Sequence, residues 1–289
     1  MTGNEWDGGT DGVVVGADAS DSARIAAEWA IDLAAAWQVP LRLVHVVRAE
    51  LPQRPRWLEE VAAAADREAV RCLVDVVPGD TAGVLLERSA GARLLVLGSY
   101  GSGAHTGLLT GSLGLALLEW ARCPVATVRG TAPGVPPARS GPVIVGVDGG
   151  ATGRAALAFG ADLATAAGAP LHLLHAWTEL DLQGRGAVEE EAATVLAEAA
   201  GWIEALRPGV ATERELVSDT SLRALMDRAP SARALVVGHR RGTPHSELEL
   251  GSTARGLVAF APCPVAVLGP RCLEDSSDPA RPADSVPTR

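Results

Sequence analysis

No lysine occurs anywhere in the chain: its 25 positions counted as Lys plus Arg are all arginine, against 35 Asp plus Glu for a formal net charge of -10. That absence removes the G-x4-G-K-[ST] phosphate loop, which needs its lysine. The acidic balance opposes sequence-independent binding to nucleic acid, whose affinity comes from neutralising phosphates with basic side chains. Aromatic residues make up only 3%, so Ala, Val and Leu must build the core that a 47% hydrophobic fraction implies. Such small side chains suit tight helix-on-sheet layers. Cysteines are few, and Cys72, Cys123, Cys263 and Cys272 show neither C-x-x-C pairing nor metal-ligand spacing. Cys123 and Cys263 open matching "CPV" tripeptides and read as small apolar residues at equivalent places. The polar, acidic N-terminus "MTGNEWDGGTDG" lacks the pattern of a signal peptide. The uncharged stretch 99–118 is too rich in Gly, Ser, Thr and His for a membrane span. The expectation is a cytoplasmic protein that binds neither nucleic acid nor membrane.

What is present is repeated. "DGVVVGADAS" at 11–20 matches "GPVIVGVDGG" at 141–150, and "VPLRLVHVV" at 39–47 matches "APLHLLHAW" at 169–177, both 130 residues apart. "ARLLVLGS" at 92–99 matches "ARALVVGH" at 232–239, and "ARCPVATVRG" at 121–130 matches "APCPVAVLGP" at 261–270, both 140 apart. One unit of roughly 125 to 130 residues is therefore duplicated, with about ten extra residues between the second and fourth strands of the second copy. The expected division is a first domain at 1–130, a Gly- and Pro-rich linker at 131–141, a second domain at 142–270 and a disordered tail at 271–289.

In the first unit short apolar runs at 13–17, 41–47, 72–77, 94–97 and 124–128 predict strands. Amphipathic stretches near 21–37, 56–70, 80–90 and 111–121 predict helices. Ile25, Ala26, Trp29, Leu33 and Ala36 are expected on one buried helix face, and Ser20 as the N-cap before it. Continuous rather than alternating apolar strands imply a parallel sheet covered on both faces. The fold class is α/β: two tandem doubly wound five-stranded parallel-sheet domains. Ligands in such sheets sit beyond the C-terminal strand ends. Gly16, Ala17 and Asp18, then Val46, then the glycine-rich stretch "VLGSYGSGAHTGLLTGSLG" at 96–114 all fall there.

Within that stretch Gly98, Gly101, Gly111 and Ser112 spell G-x2-G-x9-G-S, the last two opening a helix. A helix start offers free N–H groups and a positive dipole end, which suit an anion. Glycines in α/β turns also serve simply to turn the chain, so the loop alone leaves both readings open. A dinucleotide G-x-G-x-x-G should follow the first strand, and "VGADAS" lacks it.

Taken together, the first-strand Asp, "LVHV", the G-x2-G-x9-G-[ST] loop and "CPV" resemble the nucleotide-binding branch of the universal stress proteins over about 260 of the 289 residues. The resemblance implies strand order 3-2-1-4-5 and pairing through the last strands, so that a tandem chain forms an intramolecular pair. It implies ATP with Mg2+ as the cofactor. Asp18 and Ala17 would lie against adenine and ribose, and Val46 over the adenine. Leu97, Gly98 and Gly101 would line ribose and phosphate, while Gly111, Ser112 and Leu113 would hold the phosphates. Asp18 as a turn cap and Val46 as ordinary core remain the structural alternatives.

The second unit departs from the pattern: in "GHRRGTPHSELELGS" at 238–252, Gly238, Gly251 and Ser252 are in register, but Arg241 replaces the second glycine. Glu247 and Glu249 add negative charge, Asp148 is retained but "DGG" replaces "DAS", and Ala176 stands for Val46. A weak or empty second site at Asp148, Gly238, Arg241, Gly251 and Ser252 is expected. Near the first loop His105 is the one histidine between Gly98 and Gly111, and the next basic residue along the chain is Arg122. That is poor equipment for phosphoryl transfer. The expected function is a stress-response regulator switched by ATP occupancy, with little or no hydrolysis and an unknown protein partner. The alternatives are a pairing module that binds no nucleotide, or a slow ATP hydrolase.

Overall fold

The computed structural model describes residues 11–48, 54–100, 112–178, 185–239 and 251–274. The apolar runs of the first unit form β1 (Val13–Gly16), β2 (Leu41–Val47), β3 (Cys72–Pro78), β4 (Leu94–Gly98) and β5 (Val125–Val128). Between them lie α1 (Asp21–Trp37), α2 (Arg56–Arg67), α3 (Thr81–Arg88) and α4 (Ser112–Trp120). The second unit follows the same plan. Its strands are β6 (Val143–Gly146), β7 (Leu171–Trp177), β8 (Thr212–Ser218), β9 (Ala234–Gly238) and β10 (Val265–Leu268). Its helices are α5 (Ala151–Ala167), α6 (Arg185–Leu206), α7 (Ser221–Arg228) and α8 (Ser252–Phe260). Where the tail was expected to begin, Pro270–Leu273 forms a 3-10 turn with Cys272 packed on the core.

The strands join in one ten-stranded sheet ordered β3-β2-β1-β4-β5-β10-β9-β6-β7-β8. Every pairing is parallel except the central one, where β5 and β10 run antiparallel with Val265 opposite Thr127. Each half thus has the doubly wound order 3-2-1-4-5, and the last strands weld the halves together. Alternate side chains divide between two cores. Val13 and Val15 face the side covered by α1, α2, α5 and α6, whereas Val14 faces α3, α4, α7 and α8.

The two halves also meet through helices. Trp37 of α1 packs against Phe159 of α5 with ring centroids 6.1 Å apart, and Arg93 lies over the Trp37 ring while pairing with Asp162 at 3.6 Å. This junction corrects the face expected for α1. Ala36 is exposed, and the buried stripe instead includes Ala23, Ala27, Ala30, Ile31 and Ala34, because α1 packs on both the sheet and α5. The extra residues of the second unit also find their place: α6 has 22 residues where α2 has 12.

Both units carry the same half-buried ionic device, a carboxylate on the third strand between bases on the second strand and third helix. In the first, Asp75 sits 3.5 Å from Arg42 and 3.8 Å from Arg88. In the second, Glu215 pairs with Arg228 and lies 3.2 Å from His172. The hydrogen bond from Arg228 holds the Glu215 carboxyl below its usual value.

Candidate functional site

The C-terminal strand ends of each unit meet at one edge of the sheet, and the second unit has a cleft of about 210 Å³ there. Gly146, Val147 and Asp148 supply its floor after β6, and Ala176 comes from β7. Val237 and Gly238 end β9, and Gly251, Ser252 and Thr253 open α8. Subtracting the repeat offsets (146 − 130 = 16, 238 − 140 = 98) turns these positions into Gly16, Ala17, Asp18, Val46, Leu97, Gly98, Gly111, Ser112 and Leu113 of the first unit. These are the residues chosen from the sequence, Gly101 excepted.

In the first unit the described members of that set converge likewise. Gly16 is paired to both Val44 and Leu97 across the sheet, and the Ala17 amide donates to the Val44 carbonyl at 2.9 Å. Val46 and Leu113 are half-buried against the core that contains Leu97. Gly101, His105, Gly111, Arg241, Glu247, Glu249 and the side chain of Ser112 lie outside the described residues.

Asp18 has a structural task as well. Its Oδ1 accepts from the Ser20 amide at 3.0 Å and from the Ser20 hydroxyl. Ser20 Oγ in turn accepts from the Ala23 amide at 3.1 Å, so the expected N-cap is present. The turn is held from behind by His45, whose Nδ1 donates to the Ala17 carbonyl at 2.9 Å. His175 does the same to Val147 at 2.6 Å. Both imidazoles therefore carry hydrogen on Nδ1. The matching "LVHV" and "LLHA" were the available signal for this pin, and sequence reasoning did not use it.

Gly98 and Gly238 are fixed by packing. A Cβ on Gly98 would sit 2.8 Å from the Ser22 backbone carbon and 2.9 Å from the Ala23 nitrogen. One on Gly238 would sit 2.6 Å from both the Thr152 carbon and the Gly153 nitrogen. The strand end passes so close to the first turn of the helix that only glycine fits. This glycine would be needed in either unit whether or not a ligand binds there.

The second cleft carries a residue the sequence reading passed over. His239 is buried at 2% exposure, and its Nδ1 accepts from the Gly251 amide at 3.2 Å. That amide at the mouth of α8 is one of the donors an incoming anion would use. The counterpart of His239 is Ser99, whose amide donates to Ser22 Oγ at 2.8 Å. Asp148 is likewise occupied: its Oδ1 accepts from the Gly150 amide at 2.9 Å.

A second overlooked residue is Arg129. It is 30 positions from Ser99 in sequence (129 − 99 = 30), but β4–β5 pairing sets Gly98 opposite Val128 and brings the two together. In space, therefore, Arg129 is a closer cation than Arg122. Cys123 and Cys263 are buried and Cys72 and Cys272 half-buried, and desolvation pushes the first two thiols up to about 12 and the other two to about 11, which makes all four poor nucleophiles. Among the described residues no three His, Cys, Asp or Glu side chains gather as a metal site, and no helix is long and apolar enough to cross a membrane.

A doubled α/β unit with a strand-end cleft in its second half defines a class, and the comparisons with known proteins place the chain within it. The profile of the universal stress protein family matches residues 10–129 and again 140–269, and the chain belongs to that family. Among similar proteins of Mycobacterium tuberculosis, Universal stress protein Rv2005c is 34% identical over 285 residues, covering 89% of this chain and 96% of that one. Universal stress protein Rv2623 is 32% identical over 284 residues, covering 89% and 95%. A universal stress protein structure from Archaeoglobus fulgidus superimposes with TM-score 0.65 at 17% identity, covering 89% of this chain and 98% of that one. The cytoplasmic domain of a prokaryotic cation chloride cotransporter gives TM-score 0.60 at 12% identity, covering 93% and 98%. The fold alone therefore fixes no function.

Proposed function

We propose that the first unit binds ATP with Mg2+ at its strand-end cleft and that occupancy of this site makes the protein a nucleotide-dependent regulator. The observation that carries this reading is the cleft of the second unit: nine of its fourteen lining residues stand at the positions equivalent to the ligand residues expected in the first. The residues there suit the ligand. Val46 gives apolar cover for a base, Leu97 lines the ribose side, and Asp18 gives a carboxylate for ribose hydroxyls. The start of α4 gives backbone donors for phosphate. The cation would arrive with the nucleotide and keep most of its water shell. Binding and release, rather than turnover, would be the signal, because no described residue stands at this edge as a placed base. The cytoplasm is the compartment that fits an ATP-dependent role.

The second cleft favours weak binding or none. His239 already takes the Gly251 amide at the start of α8. Calorimetric titration of ATP·Mg into nucleotide-free protein tests the reading. One micromolar site, lost in Gly111→Val/Ser112→Ala without a fall in thermal midpoint, supports it. Absence of binding in the unmodified protein would sink it in favour of a pairing module.

A further inference from the structure

Where the two units join, beside the start of the glycine loop, lies a pocket of about 130 Å³. It is a different space from the strand-end cleft. Ser99, Tyr100 and Arg129 come from the first unit, Thr131 and Pro133 from the linker, and Phe260 from the end of α8 in the second unit. Its volume equals about four waters at roughly 30 Å³ each, which suits a small ion with part of its hydration.

Its chemistry is cationic. Arg129 Nη1 donates to the Ala259 carbonyl at 2.7 Å, so one of its N–H groups caps the C-terminus of α8. A guanidinium has five such donors. Among the described residues Arg129 makes no ion pair and no other hydrogen bond. Burial depresses its pKa, opposed by the neighbouring Tyr100. Tyr100 is the second polar group. Its hydroxyl accepts from the Gly134 amide at 3.0 Å, which leaves its own hydrogen free to donate. Phe260, 60% exposed, forms an apolar rim.

We propose that this seam pocket binds a phosphate-class oxyanion, held by the Arg129 guanidinium and the Tyr100 hydroxyl. Planar guanidinium donors match two oxygens of such an ion, and partial burial strengthens the contact. The site exists once. At the position equivalent to Arg129 (129 + 140 = 269) stands Gly269, and the nearby Arg271 lies over the Trp120 ring at 4.4 Å.

The test uses full-length protein and inorganic phosphate, exchanged for chloride at equal ionic strength. Phosphate stabilises proteins generally, so the informative quantity is the difference between proteins. The expected result is an extra rise in thermal midpoint of roughly 2–4 °C in the unmodified protein, abolished in Arg129→Met and reduced in Tyr100→Phe. Equal rises in all three overturn the proposal and leave Arg129 as a helix cap. Should Arg129→Met fold poorly, phosphorus NMR of the unmodified protein decides. Saturable broadening of the phosphate line supports the site, and none overturns it. ATP titrations then identify the source. Affinity that falls both in saturating phosphate and in Arg129→Met means that the oxyanion is the nucleotide's own tail. Affinity that changes in neither means that the pocket holds a free ion. Loss of ATP binding with the phosphate response intact would overturn the nucleotide reading but not this one.

Discussion

The two halves of the molecule solve the same local problem in different ways. In the first, Ser20 caps α1, Asp18 braces Ser20, and the methyl of Ala23 closes the space over the helix start. In the second, Gly150 takes the cap position without a side chain, and Gly153 replaces Ala23. A Cβ on Gly153 would fall on the Asp148 carboxylate, so that carboxylate is turned onto α5. On the opposite rim, His239 covers the amide that opens α8. The aspartates are thus used alike, each accepting from the amide two residues on, and the described difference is the His239 ring on the amide that opens α8.

The sharpest way to test the shared part of that comparison is at the paired glycines. Gly98→Val and Gly238→Val should each cost about 3 kcal/mol in urea unfolding. A neutral Gly98→Val would mean that this glycine serves a ligand rather than the fold. The next contrast separates Ser22 from its counterpart Thr152. Ser22 Oγ accepts from the buried Ser99 amide, while Thr152 Oγ1 is buried with no hydrogen-bond partner. The Leu268 carbonyl takes the His239 amide instead, at 2.8 Å. Ser22→Ala should cost about 1–3 kcal/mol and Thr152→Val should be neutral or stabilising. Equal losses would show the two helix starts to be equivalent after all.

Smaller effects are expected at the cleft and in the ionic device. His239→Ser frees the Gly251 amide and should tighten nucleotide binding to the second unit by on the order of tenfold, about 1.4 kcal/mol. No change would assign its weakness to Arg241. Glu215, whose folded pKa is depressed by Arg228, adds stability at pH values above its ordinary 4.5, and this is lost as pH falls through the folded value. Glu215→Gln should therefore flatten the acid limb of the stability curve, measured as thermal midpoint against pH. An unaltered limb would place the acid sensitivity elsewhere.

The strands were legible because buried parallel strands read as unbroken apolar runs, such as "VVV" and "LLVL", whereas their order came only from the family resemblance. The cleft residues were legible because they end those runs. What stayed hidden depends on contacts between distant residues. Ala36 has the right helical spacing, but only the packing of α5 on α1 decides which stripe is buried. His239 looks like any loop histidine until the fold carries Gly251 to its ring. Arg129 reads as the end of a strand until β4 and β5 pair.

The central claim is that one unit binds and the other supports. The direct measurement is the stoichiometry and affinity of ATP·Mg for Asp18→Ala and Asp148→Ala beside the unmodified protein, each checked for an unchanged thermal midpoint. The account predicts one site in the unmodified protein and in Asp148→Ala, with affinity in Asp18→Ala lowered at least tenfold. Two equal sites, each lost with its own aspartate, would contradict it.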